Sequence, residues 1–443
     1  MTGDANAAEQ RFDVVIVGAR CAGAALAQRL CTAGLSVALL DAAKLPSDQR
    51  TSTHLIHPPG MDELDALGIG DSVRRAAPAL SALRLSYDEH EALLPNREGR
   101  AAYCLRREKL DDLLQQAAVD AGAELRPQTR VIDVVRGENG RVCGVVTRHQ
   151  GKAMERLHAN LVVGADGRNS TIADLVGAEE YLGYDAPRAV YWAYWQRPSG
   201  WNQHELYNSY KGTDIRVIFP TDGDQLLIAT VPPVERARAW REDHVAAYIA
   251  DIRAYEQVGP FLGGDSPLGE VRGVFKTRYF FRAAAGPGWA LIGDAGHHKE
   301  FVIGLGISDA LRDARGLATA ILDGSPGASE RWWHRRDVER IEMFHWAREL
   351  GDTRAVDALQ RLVLARMTNA PGLHERFADI IDGQLRPYDL IPNATAGRWV
   401  TTGLLHGNAA TLSPLLGVTK RRTQARRDLR RFQRLLRRLE PSR

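Results

Sequence analysis

Cysteine is scarce in this chain, long apolar runs are missing, and charge of neither sign dominates. The four cysteines, Cys21, Cys31, Cys104 and Cys143, are scattered, and no two form a C-x-x-C pair. That spacing argues against a disulfide framework and a thiolate metal site, and it fits reduced thiols in a cytoplasm. No segment approaches the run of about 20 apolar residues that spans a membrane, so no integral membrane segment is expected. Residues 1–10 are polar and slightly acidic, unlike a secretory signal. There is no internal repeat, no low-complexity linker and no Ser-His-Asp nucleophile elbow. His297-His298 are adjacent and lack the spacing of a helical metal site, so no metal is expected. The net charge of +3 says little. Nucleic-acid binding is disfavoured, because basic residues are not interleaved with aromatics in any known module.

What is present is ordinary for a soluble globular protein. The 443 residues suggest two or three domains, and 44% hydrophobic with 26% charged content supplies ample core. Three short segments stand out. The first is Val14-Val15-Ile16-Val17-Gly18-Ala19-Arg20-Cys21-Ala22-Gly23, a buried-strand run opening into a glycine turn and a small-residue helix. Gly18 permits the tight turn, and Gly23 lets the helix pack close to the strand. The helix start then offers free N–H groups and a positive dipole end to a pyrophosphate. Arg20 replaces the middle glycine of G-x-G-x-x-G, and its guanidinium can itself hold phosphate oxygens. A second strand, Ser36 to Leu40, ends in Asp41, 23 positions after Gly18, where an acidic residue takes ribose hydroxyls. The second segment is Val162-Val163-Gly164-Ala165-Asp166-Gly167-Arg168. The third is Trp289-Ala290-Leu291-Ile292-Gly293-Asp294-Ala295-Gly296-His297, followed by Gly304-Leu305-Gly306-Ile307.

The rest of the chain falls around these segments. Arg107 to Ala121 has helical spacing. Residues 123–165 alternate as a β-meander turning at Glu138-Asn139-Gly140. Strand-like runs cover Val190 to Trp195, Ile215 to Phe219 and Gln225 to Val231, with a helix at 242–256. From Ile307 the pattern is helical over 307–323, 329–350 and 354–369. The expected fold class is α/β. A Rossmann-like dinucleotide domain (GR2 type), discontinuous over 11–77, 101–185 and 276–325, is interleaved with a mixed β-sheet substrate domain over 78–100 and 186–275. A C-terminal helical region covers 326–443. Its last stretch, Lys420 to Arg443, holds eleven Lys/Arg against Asp428 and Glu440. Leu429, Phe432, Leu435, Leu436 and Leu439 share one helical face there. Such a helix either packs by its apolar stripe with solvated arginines, or docks an acidic partner or an anionic membrane surface.

Over most of residues 11–325 the chain resembles the flavoprotein monooxygenases of the para-hydroxybenzoate hydroxylase kind. More narrowly, it is similar to a bacterial group of FAD-dependent oxidoreductases that overlaps the geranylgeranyl reductase-like proteins. The resemblance is carried by Gly18-Ala19-Arg20-Cys21-Ala22-Gly23, Ser52-Thr53-His54 with Pro58-Pro59-Gly60, Tyr103-Cys104 with Arg106-Arg107, Gly164 to Arg168, Gly286 to Gly296, and Ile307 to Ala314. It implies FAD as cofactor and NAD(P)H as reductant. Gly18, Arg20, Cys21, Ala22, Gly23 and Asp41 are then expected on the cofactor. Asp294 is expected on the ribityl chain, with Gly293 forming its turn. Gly304, Gly306 and Ile307 begin a helix whose N–H groups face the flavin. Asp166 is expected near the pyrophosphate and the nicotinamide path, and Arg107 on the phosphates or ribityl.

Relatives carry Asp-Pro or Pro-Pro after the Gly-Asp motif and a polar residue before the final glycine. Here those positions are Glu300-Phe301 and Leu305, a departure expected to alter oxygen chemistry beside the flavin. In Tyr191-Trp192-Ala193-Tyr194-Trp195, alternation sends Tyr191, Ala193 and Trp195 to one face and Trp192 with Tyr194 to the other. One face is expected, with Phe301, to line an aromatic substrate pocket. Halogenating relatives carry Trp-x-Trp-x-Ile-Pro, which this run does not match, so halogenation is disfavoured. No general base stands out; His54, His57 and His297 are the candidates. The expected activity is hydroxylation or epoxidation of a hydrophobic, preferably aromatic, small molecule, with a role in natural-product biosynthesis. The rivals are a reductase of carbon–carbon double bonds and a flavoprotein that binds without turnover.

Overall fold

A computed structural model describes residues 10–392, apart from 48–51, 53, 150–152, 263, 265, 355–357 and 368–370, with scattered positions between 394 and 437. The basic stripe expected over Lys420 to Arg443 lies largely outside the described residues, as do Thr53 and most of the polar loop before it.

The three segments become the centre of an eight-stranded sheet. Gln10–Val17 lies parallel between Val37–Leu40 and Met154–Gly164, and Trp289–Leu291 lies parallel on the far side of Met154–Gly164. The register pairs Val17 with both Leu40 and Gly164, and Gly164 with Leu291. Four strands therefore end side by side, and the turns after Val17, Leu40, Gly164 and Leu291 emerge at one carboxyl edge. Open α/β sheets bind ligands at that edge. Val14 to Val17 are buried, as a continuous apolar run requires of a strand covered on both faces.

Two helices cover the sheet where these turns emerge. Cys21–Thr32 approaches so closely that a Cβ on Gly23 would sit 1.9 Å from the Gly18 carbonyl oxygen. Gly306–Asp323 packs against it through Ile307, Leu311, Ala314 and Leu317, and ends at left-handed Gly324. A seven-stranded sheet takes Ala82–Tyr87 and His90–Pro95 from early in the chain. It joins them, through a parallel pairing of Ala82–Tyr87 with Glu205–Lys211, to strands running from Val190 to Val274. Two of its strands have weak sequence signals. Glu205–Lys211 is half polar, and Leu268–Val274 carries two glycines on the sheet edge.

The C-terminal helices close the molecule over this second sheet. Ala328–Leu350, Ala358–Met367 and Pro371–Ile381 follow one another. Leu364, Met367 and Leu373 share a core with Leu85, Phe219 and Leu227. Within the basic terminal segment, Leu429 packs partly buried against Tyr279, Phe281, Ile341 and Phe344. That contact favours the packed-helix reading of this stretch. No helix among the described residues is long and apolar enough to cross a membrane.

Candidate active site

A cavity of about 590 Å³ opens at the shared strand edge. It is bordered by Gly18, Arg20, Cys21, Ala22, Asp41, Arg107, Asp166, Gly293, Asp294, Gly304, Gly306 and Ile307. The chain thus gathers twelve of the thirteen expected cofactor positions in one place. Gly23 lies behind them, against Gly18.

Backbone geometry explains the glycines. Gly18 has φ +105, and a Cβ there would meet the Ala165 carbonyl oxygen at 2.4 Å, so the first and second motifs touch only because Gly18 has no side chain. Gly293 is also left-handed, at φ +59. Its N–H donates to Asp313 Oδ2 at 3.0 Å, which orients the turn presenting Asp294. Burial works against ionising Asp313, but Arg336, His297 and the Gly293 N–H outweigh it and hold the carboxyl below its usual range. Asp294 itself stands exposed in the cavity. Asp41 fixes the first turn, its Oδ2 accepting from Ala19 N at 2.9 Å and its Oδ1 from Ala43 N at 2.8 Å. Each oxygen keeps a further acceptor position for a ribose hydroxyl.

Other expected residues are more engaged than the sequence suggests. Arg107 is buried and donates to Asp111 Oδ1 at 2.8 Å, an oxygen that also accepts from Cys21 Sγ at 3.2 Å. Arg20 donates to Ser47 Oγ at 3.2 Å. Asp166 directs both carboxylate oxygens at the start of the helix Thr171–Val176, accepting from Ser170 Oγ at 2.5 Å and Ile172 N at 3.2 Å. It thus caps that helix while standing on the wall of the cavity where it was expected.

The flavin loop holds what the sequence reading missed. Lys299 is buried and ion-paired with Asp309, which also accepts from Arg312 Nη1 at 2.8 Å. Burial pushes the Lys299 ammonium well below its ordinary value. Burial also raises Glu300 to about 7, against a hydrogen bond from Tyr279 and the field of Arg188. Both residues border the cavity. The available signal was the rarity of lysine, seven in the chain, with one of them inside a buried loop.

The three histidine candidates lie in or beside this site, His54 and His297 buried and His57 partly so. Burial, helped by Arg107 and Arg272, pushes His54 down to about 3. Burial lowers His57 to about 4 despite its hydrogen bond to the Ile303 carbonyl oxygen at 2.9 Å. His297 is also lowered by burial, against Asp313. All three are neutral at physiological pH and weak as general bases.

A second cavity, of about 190 Å³, adjoins the first. Leu55 borders both. The loop divides them, Phe301 and Gly304 facing the first while Val302 and Ile303 face the second. Its walls include Leu83, Leu85, Tyr210 and Phe219 from the sheet, and Leu364 and Phe377 from the C-terminal helices. The expected aromatic run is not among them. Tyr191 and Trp195 pack against the helix His244–Arg253, where Trp195 Nε1 donates to Tyr248 Oη at 2.9 Å. Trp192 is buried in the sheet core, and Tyr194 meets His54. Alternation separates the two faces as expected: the helix covers Tyr191 and Trp195, while Tyr194 faces His54 on the cofactor side. Leu305 packs on Met343, Ala347 and Ile380 and does not border the cofactor cavity.

Comparison with known proteins places this architecture. Residues 11–335 match the family model described as FAD binding domain, and the chain belongs to that family. Menaquinone reductase of Mycolicibacterium smegmatis is 29% identical over 331 residues, 71% of this chain and 77% of that protein. The FAD-dependent monooxygenase ptmM of Penicillium ochrochloron is 29% identical over 171 residues, 37% of this chain and 39% of that protein. Among solved structures, the flavin-dependent brominase Bmp2 superposes with a TM-score of 0.73 at 16% identity, covering 84% of this chain and 94% of that one. That last likeness concerns the fold. The protein is an FAD-dependent oxidoreductase of a family containing monooxygenases and reductases.

The residues present fit FAD. Glycine turns bring backbone N–H groups to the cavity, the helix Gly306–Asp323 begins on it with open space beside Gly306, and Asp294 projects into it.

Proposed function

We propose that the protein is a monooxygenase that hydroxylates or epoxidises a hydrophobic small molecule, using NAD(P)H and O₂. The observation that carries this reading is the apolar cavity joined to the cofactor cavity across Leu55 and the loop Phe301–Gly304. Bound FAD supplies the redox chemistry. The turns after the four strands hold its pyrophosphate and ribityl groups, with Asp294 and the start of Gly306–Asp323 as principal contacts. The helix dipole favours negative charge at that end. The apolar walls hold substrate away from water, and Tyr87, Tyr210, Phe219 and Phe377 offer ring faces to an aromatic one. His54, His57 and His297 act as neutral hydrogen-bonding groups. The four cysteines form no disulfide among the described residues, which suits a reducing cytoplasm. The similarity to the FAD-dependent monooxygenase ptmM agrees with monooxygenase chemistry, and a role in natural-product tailoring is part of the proposal.

A second reading is a reductase of carbon–carbon double bonds. The relative aligned over 71% of the chain is a reductase, and the cavity is rich in aliphatic walls. Oxygen uptake separates the two. The purified holoenzyme is given NADH or NADPH with a panel of phenols, arenes and isoprenoid quinones. Substrate-stimulated oxygen consumption with a product gaining one oxygen supports the first reading. Anaerobic turnover with loss of a double bond overturns it in favour of the second.

A further inference from the structure

We infer that His54 is a cofactor-positioning residue whose Nδ1 hydrogen-bonds the ring system of the bound flavin, held in place by Tyr194 of the neighbouring sheet. The inference rests on the FAD assignment above and gives His54 a role that the resemblance does not assign.

His54 has a left-handed backbone, φ +66, although it is not glycine. Such a conformation is strained and persists only where the surroundings impose it, commonly at ligand clamps. The residue is 1% exposed. Its Nε2 is taken by a short hydrogen bond with the Tyr194 hydroxyl, and the two rings stack with centroids 5.8 Å apart. Tyr194 is itself fixed between two guanidinium groups, Arg106 at 5.9 Å and Arg272 at 5.8 Å from its ring centre. The ring is thus tied at one nitrogen. The other, Nδ1, is buried without a hydrogen-bond partner. A buried, unmatched polar atom is destabilising, so it implies a partner that arrives.

The place of the residue identifies that partner. His54 borders the cofactor cavity beside Leu55. Leu55 packs on Gly304, where an added Cβ would meet its Cδ2 at 2.7 Å. This is the end at which the two cavities meet. Flavin chemistry on a substrate requires the ring system at that end. The edge of an isoalloxazine carries carbonyl acceptors flanking an N–H donor. When Tyr194 donates to Nε2, Nδ1 carries the ring hydrogen and donates; in the other tautomer it accepts. Either form finds a complement on that edge.

Four variants divide the two nitrogens. His54→Asn places an amide where Nδ1 stands and tolerates the left-handed backbone, but it cannot reach Tyr194. His54→Gln reaches toward Tyr194 and lacks the Nδ1 group. FAD is titrated into deflavinated protein, with the visible flavin bands recorded. The His54→Ala and His54→Gln variants should weaken FAD binding by about tenfold or more, the value of a lost buried hydrogen bond, and shift the flavin bands. The His54→Asn variant should stay within about threefold of wild type, and Tyr194→Phe should fall between. A His54→Gln variant that binds like wild type while His54→Asn binds like His54→Ala would overturn the proposal, since only the Tyr194 contact would then matter. Unchanged binding and bands in all four would overturn it as well. In ¹⁵N-histidine-labelled wild-type protein, FAD addition should move a δ-nitrogen resonance; none moving defeats the proposal even where variants do not fold. A wild-type protein that takes up no FAD would instead defeat the cofactor assignment, and the first titration reveals it.

Discussion

The two cavities that share Leu55 are built on opposite principles. The cofactor cavity is lined by glycine turns, backbone N–H groups and charged side chains, many of them already paired: Arg107 with Asp111, Lys299 with Asp309, Asp41 with two amides. The apolar cavity is lined mostly by side chains without charge, drawn from a sheet and from helices far along the chain. The first is a fixed mould for a charged dinucleotide, because its shape is written in backbone angles. The second is a wall of interchangeable apolar surfaces, whose shape depends on how the C-terminal helices settle. A substitution should therefore be far more damaging in the first than in the second.

Gly18→Ala should test that contrast most severely. Left-handed strain of about 1–3 kcal/mol adds to a clash with Ala165 backbone atoms that no rotamer change relieves. The expected outcome is loss of bound FAD and a markedly lower melting temperature. In the apolar cavity, Leu83→Met should leave flavin content unchanged and lower stability by less than about 1.5 kcal/mol, read by absorbance and thermal melting. Equal damage from both would erase the distinction.

Asp294→Ala should come next. It removes a charged hydrogen-bonding group from the cavity and no packing, since Asp294 stands exposed there. Flavin occupancy should fall by an affinity loss of about 1.5–3 kcal/mol, while the apoprotein melts as before. A stability loss without flavin loss would make Asp294 a structural residue.

Glu300 sharpens the comparison through pH. Burial raises its carboxyl from the ordinary 4.5 to about 7. A carboxyl raised on folding gives stability that is complete below its unfolded value and is lost as pH rises through the folded one. Stability should therefore decline between pH 4.5 and about 7. Glu300→Gln should flatten that decline and melt higher than wild type above neutrality. Thermal melts across the range decide it; an unchanged pH profile in the variant would place Glu300 outside the titration.

How much was legible follows from the same contrast. Gly18, Gly293 and Gly304 announced themselves because each turn needs a left-handed residue, a demand that stays local in sequence. Asp41 followed from its distance to Gly18, and Asp294 from the resemblance of its Gly-Asp motif. The fold class followed from the same runs, since buried parallel strands read as continuous apolar segments. The apolar cavity was not legible. Leu85, Phe219 and Leu364 are ordinary core residues one by one, and only tertiary packing leaves a space among them. The surroundings of the aromatic run were hidden for a related reason: alternation names two faces but not which neighbour covers each, and the helix His244–Arg253 covers Tyr191 and Trp195. Leu305 misled because its backbone lies in the flavin loop while its side chain turns to Met343 and Ala347.

That last distinction separates Phe301 from Leu305. Phe301 borders the cofactor cavity, so Phe301→Ala should change the rate at which reduced enzyme reacts with O₂ in stopped-flow mixing. Leu305→Gln should leave that rate alone and instead cost about 1–3 kcal/mol for an amide buried among apolar groups. The reverse pattern would mean that the loop repacks on cofactor binding.

The smallest effect belongs to a region that borders neither cavity. Leu429 lies in the arginine-rich terminal segment and packs, partly buried, on Phe281 and Phe344. Full burial of a leucine is worth about 1.5–3 kcal/mol, and partial burial scales this down. Leu429→Ala should therefore lower the melting temperature by only a few degrees and leave FAD content untouched. Truncation after Val418 should extend the same effect, again with flavin retained. Replacing the terminal arginines by glutamine should barely move the melting temperature, because solvated charges contribute little to it. It should weaken association only if the segment docks an acidic partner or an anionic surface, which vesicle co-sedimentation reads directly. Flavin loss on truncation, in protein that stays folded, would tie the tail to the cofactor cavity and break the separation between rigid mould and peripheral packing.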